Sequence, residues 1–264
     1  MTLAHISDLH FGRENPRLIV GLLQTLEDIQ PQLVVISGDL TQRARTHEFL
    51  AARAFLDSLQ WPFLVIAGNH DISADNLTER FFAPWKKWHR YIANTLEPIV
   101  SDENSIAIGV NTARRSGYCL DWSRGRVNSR QIAAIAEYLA EEDGDRLRVL
   151  AAHHPFWIPK QYRYRHVIGG RDMALGRLKR AGVDIILSGH VHLAYTHVLD
   201  GLIISHAGTA ISNRLEADYP NSFKIVRGDR RKLSVETREW RNTCFIKSVE
   251  QVFNRIQGEW RESG

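Results

Sequence analysis

The sequence predicts an α/β fold in which two mixed β-sheets pack face to face with helices on their outer surfaces. Three observations carry this reading. Five apolar runs, Leu3 to Ile6, Leu33 to Ile36, Phe63 to Ala67, Val149 to Ala152 and Val183 to Leu187, are rich in β-branched residues and too short for core helices, so they read as buried strands. Segments of helical period separate them. A strand-rich stretch closes the chain, with runs at Ala194 to Leu199, Leu202 to Ser205, Ser222 to Val226 and Lys232 to Glu236, and a further run lies earlier at Ile106 to Asn111.

The first helix starts at Asn15-Pro16, where proline suits the first helical position, and carries Leu18, Ile19, Leu22, Leu23, Leu26 and Ile29 on one face. Thr46 to Leu59 repeats the period. Phe81, Phe82, Trp85, Trp88, Tyr91 and Ile92 also have helical spacing and read as core or cap packing rather than as a cofactor box. Ser129 reads as the N-cap of a helix using Ile132, Ile135, Ala136 and Leu139, and Gly182 ends the helix carrying Leu175 and Leu178. Past the last of these strands, Phe245, Val249, Val252, Phe253, Ile256 and Trp260 recur at helical period. The expected organisation is one domain over 1–241 and a helical tail over 242–264, packed on its own domain or on a partner subunit of a homo-oligomer.

Composition fits a globular chain with an ample core, at 44% hydrophobic and 24% charged residues in 264. The N-terminus enters the first strand with no basic lead and apolar h-region, and no apolar run is long enough to span a bilayer, so a cytoplasmic location is expected. Cys119 and Cys244 form no metal or redox spacing. The isoelectric point near 9.2 points toward nucleic acid, but a net charge of +4 is a weak footprint for a nucleic-acid binder of this length.

Each of the five apolar runs leads into a polar cluster: Asp8-Leu-His10, Gly38-Asp39, Gly68-Asn69-His70-Asp71, His153-His154-Pro155 and Gly189-His190-Val191-His192. Open α/β sheets place their ligands just past the carboxyl ends of strands, so distant stretches of chain meet there. In locally extended chain the members of the pairs Asp8/His10 and His190/His192 would point to the same side. A lone Asp39 after a glycine suits a carboxylate bridging two ions, and Asn69 offers a neutral amide oxygen. Four imidazoles, two carboxylates and one amide, with no thiolate, point to Mn, Fe, Zn or Co rather than a closed structural zinc site. His5, His47, His89, His166 and His197 fall outside the pattern and read as core or surface residues. His154 and His206 stand between packing and support of the ligands.

On these residues the sequence resembles the calcineurin-like metallophosphoesterases, whose pattern is D-x-H, G-D, G-N-H-[DE], H and G-H-x-H, with a match from roughly Leu3 to Trp240. The resemblance implies a four-layer αββα sandwich. It implies two divalent or mixed-valence ions, one held by Asp8, His10, Asp39 and His192 and the other by Asp39, Asn69, His153 and His190, with His153 rather than His154 as the ligand. It also implies His70 as general acid, oriented by Asp71. The compact size and the His-His-Pro and Gly-Thr-Ala elements resemble the bacterial cyclic-nucleotide and glycerophosphodiester branch, although Thr41 to Arg45 replaces a loop in which that branch often carries glycine.

Two such ions, about 3.5–4 Å apart, would activate a bridging hydroxide and neutralise a phosphoryl group attacked in line, while His70 protonates the departing oxygen. The expected function is therefore a binuclear metal-dependent phosphodiesterase acting on cyclic nucleotides or small phosphodiesters. The alternatives are a phosphomonoesterase of broad specificity, a nuclease, and a non-catalytic scaffold of the same fold. Candidate substrate contacts are Arg43, Arg114, Arg115, His154, Arg163 and His206, because paired guanidinium hydrogen bonds suit phosphate. Further basic residues (Arg13, Arg45, Arg124, Arg126, Lys160, Arg165) and aromatics (Trp122, Phe156, Trp157, Tyr162, Tyr164) occupy the same loops.

Overall fold

The computed structural model describes residues 1–115, 123–142, 144–162 and 164–263. β1 (Thr2–Ile6), β2 (Leu33–Ser37) and β3 (Phe63–Ile66) lie side by side and parallel. On the other side of β1, the antiparallel strands β10 (Ser222–Gly228), β11 (Lys232–Arg241), β12 (Cys244–Ile256) and β13 (Glu259–Glu262) extend the same sheet, in the order β13-β12-β11-β10-β1-β2-β3. The second sheet holds β4 (Ile99–Ser101), β5 (Ser105–Val110), β6 (Leu147–Ala152), β7 (Ile185–Ser188), β8 (Tyr195–Leu199) and β9 (Leu202–His206), in the order β4-β5-β6-β7-β9-β8. Its central strands β5, β6, β7 and β9 are parallel, so their carboxyl ends share one edge.

Period-two burial builds the layers. Leu3, Val35, Leu64 and Val226 meet Val149, Ile185, Leu187 and Ile203 between the sheets. Their neighbours Ala4, Ile6, Val34 and Ile36 face outward beneath α1 (Pro16–Ile29) and α2 (Thr46–Ser58). Leu150, Ile186 and Ile204 lie beneath α5 (Ser129–Glu141) and α6 (Arg171–Arg180). The result is the expected αββα sandwich. Each fully buried large side chain, such as Leu22 or Leu26 of α1, contributes about 1.5–3 kcal/mol over leaving it exposed.

Local signals worked as chemistry demands. Asn15 caps α1 by accepting from the Arg17 amide, with Pro16 at the first helical position. The cap of α5 is Asn128 rather than Ser129: Asn128 Oδ1 accepts from the amides of Arg130 and Gln131, and the Gln131 side chain accepts from the Asn128 amide. The apolar stretch from Phe81 to Ile92 is split at Ala83-Pro84 into α3 (Leu77–Phe82) and α4 (Lys86–Tyr91). Trp88 is buried, but Phe82 projects into solvent at 86% exposure, so core or cap packing does not hold for it. Among the described residues, no helix is long and apolar enough to cross a membrane.

The expected helical tail is instead a β-hairpin. Asn242 (φ 56°) turns β11 into β12, and Gln257-Gly258 (φ 51° and 83°) turn β12 into β13. Left-handed residues at those two places break a helix and close hairpins, while Phe245, Phe253 and Trp260 bury against their own domain. The hairpin is fastened by Asp184, a fully buried carboxylate just before β7. Its Oδ2 accepts from the Arg148 amide and Arg230 Nε (both 2.9 Å), and its Oδ1 accepts from Arg255 Nη1 (2.7 Å) and Trp260 Nε1 (3.2 Å).

A second buried charge joins the sheets. Lys224 of β10 is 1% exposed, and its Nζ donates to Thr237 Oγ1 (2.7 Å) and Thr196 Oγ1 (3.3 Å), the latter on the opposite sheet. Burial lowers its pKa to about 7, against a weaker opposing pull from Glu239. Between about pH 7 and the ordinary lysine value the unfolded chain binds the proton and the folded chain does not, so this group makes stability rise with pH. Lys224→Met is expected to remove that rise and to stabilise the protein below pH 7. Urea unfolding at pH 6 and pH 9 checks it, and an unchanged pH slope would contradict it.

Candidate metal centre

The polar clusters converge where the carboxyl ends of the two sheets meet. Asp8 and His10 follow β1, Asp39 follows β2, and Asn69–Asp71 form a single 3₁₀ turn after β3. His153 follows β6, and His190 and His192 follow β7. The pairs do not converge through extended chain, as the spacing suggested. Asp8, His10, Asp39, His190 and His192 all adopt left-handed backbone, with φ between 47° and 76°. Such residues persist only where surrounding structure holds them, at about 1–3 kcal/mol each. Glycines make room for this crowding: a Cβ on Gly38 would lie 2.6 Å from His153 Nδ1, and one on Gly189 would strike Ser7 and the Asp8 carboxylate.

Ring tautomers are fixed by backbone carbonyls. His153 Nδ1 donates to Ser37 O (2.8 Å), His192 Nδ1 to Arg214 O (2.7 Å) and His10 Nδ1 to Thr41 O (3.4 Å), which leaves each Nε2 lone pair directed inward. His10 Nε2 then lies 3.1 Å from His192 Nε2, 3.8 Å from Asp8 Oδ1 and 3.7 Å from Asp39 Oδ2. His192 Nε2 is 3.2 Å from Asp8 Oδ1. On the other side, His153 Nε2 is 3.3 Å from Asp39 Oδ2 and 3.2 Å from Asn69 Oδ1. The His190 ring centroid stands 5.2 Å from that of His153. Asp39 Oδ2 therefore faces both groups, and its Oδ1 accepts from the His70 amide (2.8 Å).

This donor set fits a pair of cations. Inward lone pairs on neighbouring imidazoles repel one another, and buried carboxylates are costly without a positive partner. Burial would raise Asp8 and Asp39, yet His192 and His153 respectively hold the two carboxylates below their usual range. Burial would lower His153, yet Asp39 and Asp8 lift it to about 9. A cation would take over the role of that proton. Asp8, His10 and His192 form one compact ligand group, and Asp8, Asp39 and His153 another.

Other expected roles change. His154 approaches the same cluster, but its Nδ1 meets Thr112 Oγ1 (2.7 Å) and its Nε2 donates to Ser123 O (2.8 Å), so neither nitrogen is left to coordinate. Asp71 does not orient His70. Its carboxylate is buried and accepts from the amides of Gly68, Leu40 and Thr41, bracing two loops, while burial and then Asp39 push it up to about 7. His70 is oriented by Gln42, whose carbonyl accepts from its Nδ1 (2.7 Å). Arg43 shares the exposed Asp75 with Arg45, Arg115 Nη1 donates to Phe81 O, and Arg43, Arg114 and Arg115 do not line the cleft. His206 is fully buried against the Tyr195 ring at 4.4 Å and lies off the cleft wall. Arg163, Cys119 and Trp122 lie outside the described residues.

Besides the candidate ligands, the wall of the cleft over the centre, about 300 Å³, includes Arg124, Tyr164, Arg165, His166 and Arg214. His166, read as a core or surface residue, belongs to this wall. Arg214 carried no motif. The available signal was its place a few residues past β9, whose carboxyl end shares the edge with β6 and β7.

A family model described as calcineurin-like phosphoesterase matches residues 1–194. A glycerophosphodiester phosphodiesterase from Enterobacter lignolyticus is 28% identical over 172 residues, 59% of this chain; the chain spans only 57% of that relative's length. A probable cyclic nucleotide phosphodiesterase from Ruthia magnifica subsp. Calyptogena magnifica is 24% identical over 228 residues, 80% of this chain and 86% of the relative. Among solved structures, a dimetal phosphatase from Danio rerio superposes with a TM-score of 0.68 at 12% identity, over 94% of this chain and 99% of that one, which is a likeness of fold.

Proposed function

The chain belongs to the calcineurin-like phosphoesterase family, and from that premise we propose that it is a metal-dependent hydrolase of phosphate diesters. The observation that carries the reading is Asp39 Oδ2, 3.7 Å from His10 Nε2 and 3.3 Å from His153 Nε2, a single buried oxygen facing two ligand groups. Asp8, His10, Asp39 and His192 would hold one ion, and Asp39, Asn69, His153 and His190 the other; Mn, Fe, Zn and Co suit the set. When bound, the pair supplies an activated water and neutralises charge on the phosphoryl oxygens. The diester preference is supported by the names that the two sequence relatives carry.

The protein's own residues supply orientation and the proton. The carbonyls of Ser37, Thr41 and Arg214 fix the orientation of three imidazoles. His70 Nε2 faces the cleft because Nδ1 is committed to Gln42 O. In its protonated form it delivers that proton to the departing ester oxygen. His70→Ala is therefore expected to slow hydrolysis of an alkyl phosphodiester about 10²-fold or more, and of a p-nitrophenyl diester much less, since p-nitrophenolate leaves without help. Steady-state rates on the two esters check this, and equal losses on both would remove His70 from that role.

The activity itself is tested by comparing bis-p-nitrophenyl phosphate with p-nitrophenyl phosphate on manganese-loaded protein. Faster cleavage of the diester is expected. A strong preference for the monoester would overturn the reading in favour of a phosphomonoesterase.

A further inference from the structure

Arg214 differs from Arg165 on the same cleft in what fixes it and in what it lacks. Its loop is tied to the centre. Thr209 Oγ1 donates to Asp8 O (2.6 Å), the Arg214 amide donates to Ser212 Oγ (3.2 Å), and Arg214 O accepts from His192 Nδ1 (2.7 Å). From that anchored backbone the half-buried side chain turns inward, bringing Nη1 to 3.0 Å from His70 Nε2 and 3.3 Å from His10 Nε2. Arg165, on the same wall, is paired with Glu216, and Arg43 and Arg45 share Asp75. Among the described residues, the partners of the Arg214 guanidinium are two imidazoles and no carboxylate.

Charge decides what belongs beside it. Two divalent cations less the Asp8 and Asp39 carboxylates leave a positive centre, and a phosphodiester brings a single negative charge to it. Arg214 adds a further permanent positive charge that this monoanion does not balance. An ion at His10 Nε2 and the proton that the acid role puts on His70 Nε2 would take the two lone pairs that the guanidinium now faces. Arg214 then needs an acceptor from the substrate. Its place next to His70 puts that acceptor on the side from which the ester oxygen departs.

We infer that Arg214 grips a second oxyanion, a phosphate or a carboxylate, borne by the departing group of the phosphodiester; this rests on the diesterase reading above. The substrate class is thereby narrowed from phosphodiesters in general to those with an anionic leaving arm. A guanidinium binds either oxyanion by paired, charge-assisted hydrogen bonds, which a lysine reproduces only as a point charge.

Three non-hydrolysable probes of one skeleton separate the cases: methylphosphonate without a second oxyanion, phosphonoacetate with a carboxylate, and methylenediphosphonate with a second phosphonate. Calorimetric titration of manganese-loaded protein is expected to show at least one of the latter two binding about tenfold or more tighter than methylphosphonate. The member preferred identifies the oxyanion. In Arg214→Ala that preference should fall to within about threefold of unity while methylphosphonate binding changes little, and Arg214→Lys should retain part of it. Metal content, measured after each titration, should stay at two manganese ions per chain in every variant. No preference in the wild type, or equal losses for all three probes in Arg214→Ala, would overturn the inference. If the wild type instead cleaves no phosphodiester, the diesterase reading falls by itself, and the calorimetric ratios still decide whether Arg214 grips an oxyanion.

Discussion

Asp39→Asn is expected to lower turnover of bis-p-nitrophenyl phosphate about 10³-fold or more, the several kcal/mol that a metal pair supplies to such a reaction, and to leave the protein with fewer than two bound ions. Asparagine is the informative replacement because it tolerates the left-handed backbone found at this position (φ 51°) and keeps the side-chain shape. Only the charge is removed. In the wild type Asp39 Oδ2 faces His10 on one side and His153 on the other, while Oδ1 holds the His70 amide. A neutral amide retains the hydrogen bond and loses the anion shared by both ligand groups. Initial rates with added manganese, with metal content measured after desalting, check both parts; full turnover in the variant would exclude Asp39 as a bridging ligand.

The second large effect is on stability. Asp184→Ala is expected to destabilise the fold by about 3–5 kcal/mol, because removing one partner of a buried ionic cluster leaves the others uncompensated. Arg230 from the β10–β11 turn and Arg255 from β12 both donate to this carboxylate, as does Trp260 of β13. Without it, the hairpin that completes the first sheet loses its buried ionic attachment to the second. Urea unfolding monitored by tryptophan fluorescence measures the change. A loss below about 1 kcal/mol would mean that the arginines reach solvent at little cost.

The sandwich and the convergence of the clusters were legible because both rest on short-range rules. β-Branched runs make buried strands, and parallel strands bring their carboxyl ends to one edge. The tail was not legible because Phe245, Val249, Val252, Phe253, Ile256 and Trp260 satisfy a helical period, while the turns at Asn242 and Gln257-Gly258 enforce a hairpin. The destinations of Arg43 and Arg214 were equally hidden. Arg43 sits in a loop near the mouth, but Asp75 draws it to the surface, and Arg214 reaches the centre through a turn whose shape is set by Thr209 and Ser212. Side-chain destinations of that kind depend on contacts between distant segments, which spacing along the chain does not encode.

The placement of β1 between β2 and β10 bears on how the chain is made. On a ribosome, β1 acquires one neighbour after about thirty residues and waits for the other until residue 222 has emerged. Until then it presents an open edge of the sort that invites mispairing with other nascent chains. Arg214 and the two histidines at 190 and 192 also appear late. The proposed ligand set is therefore complete only after His192 has emerged, so a pair of ions would be captured late in synthesis rather than at its start.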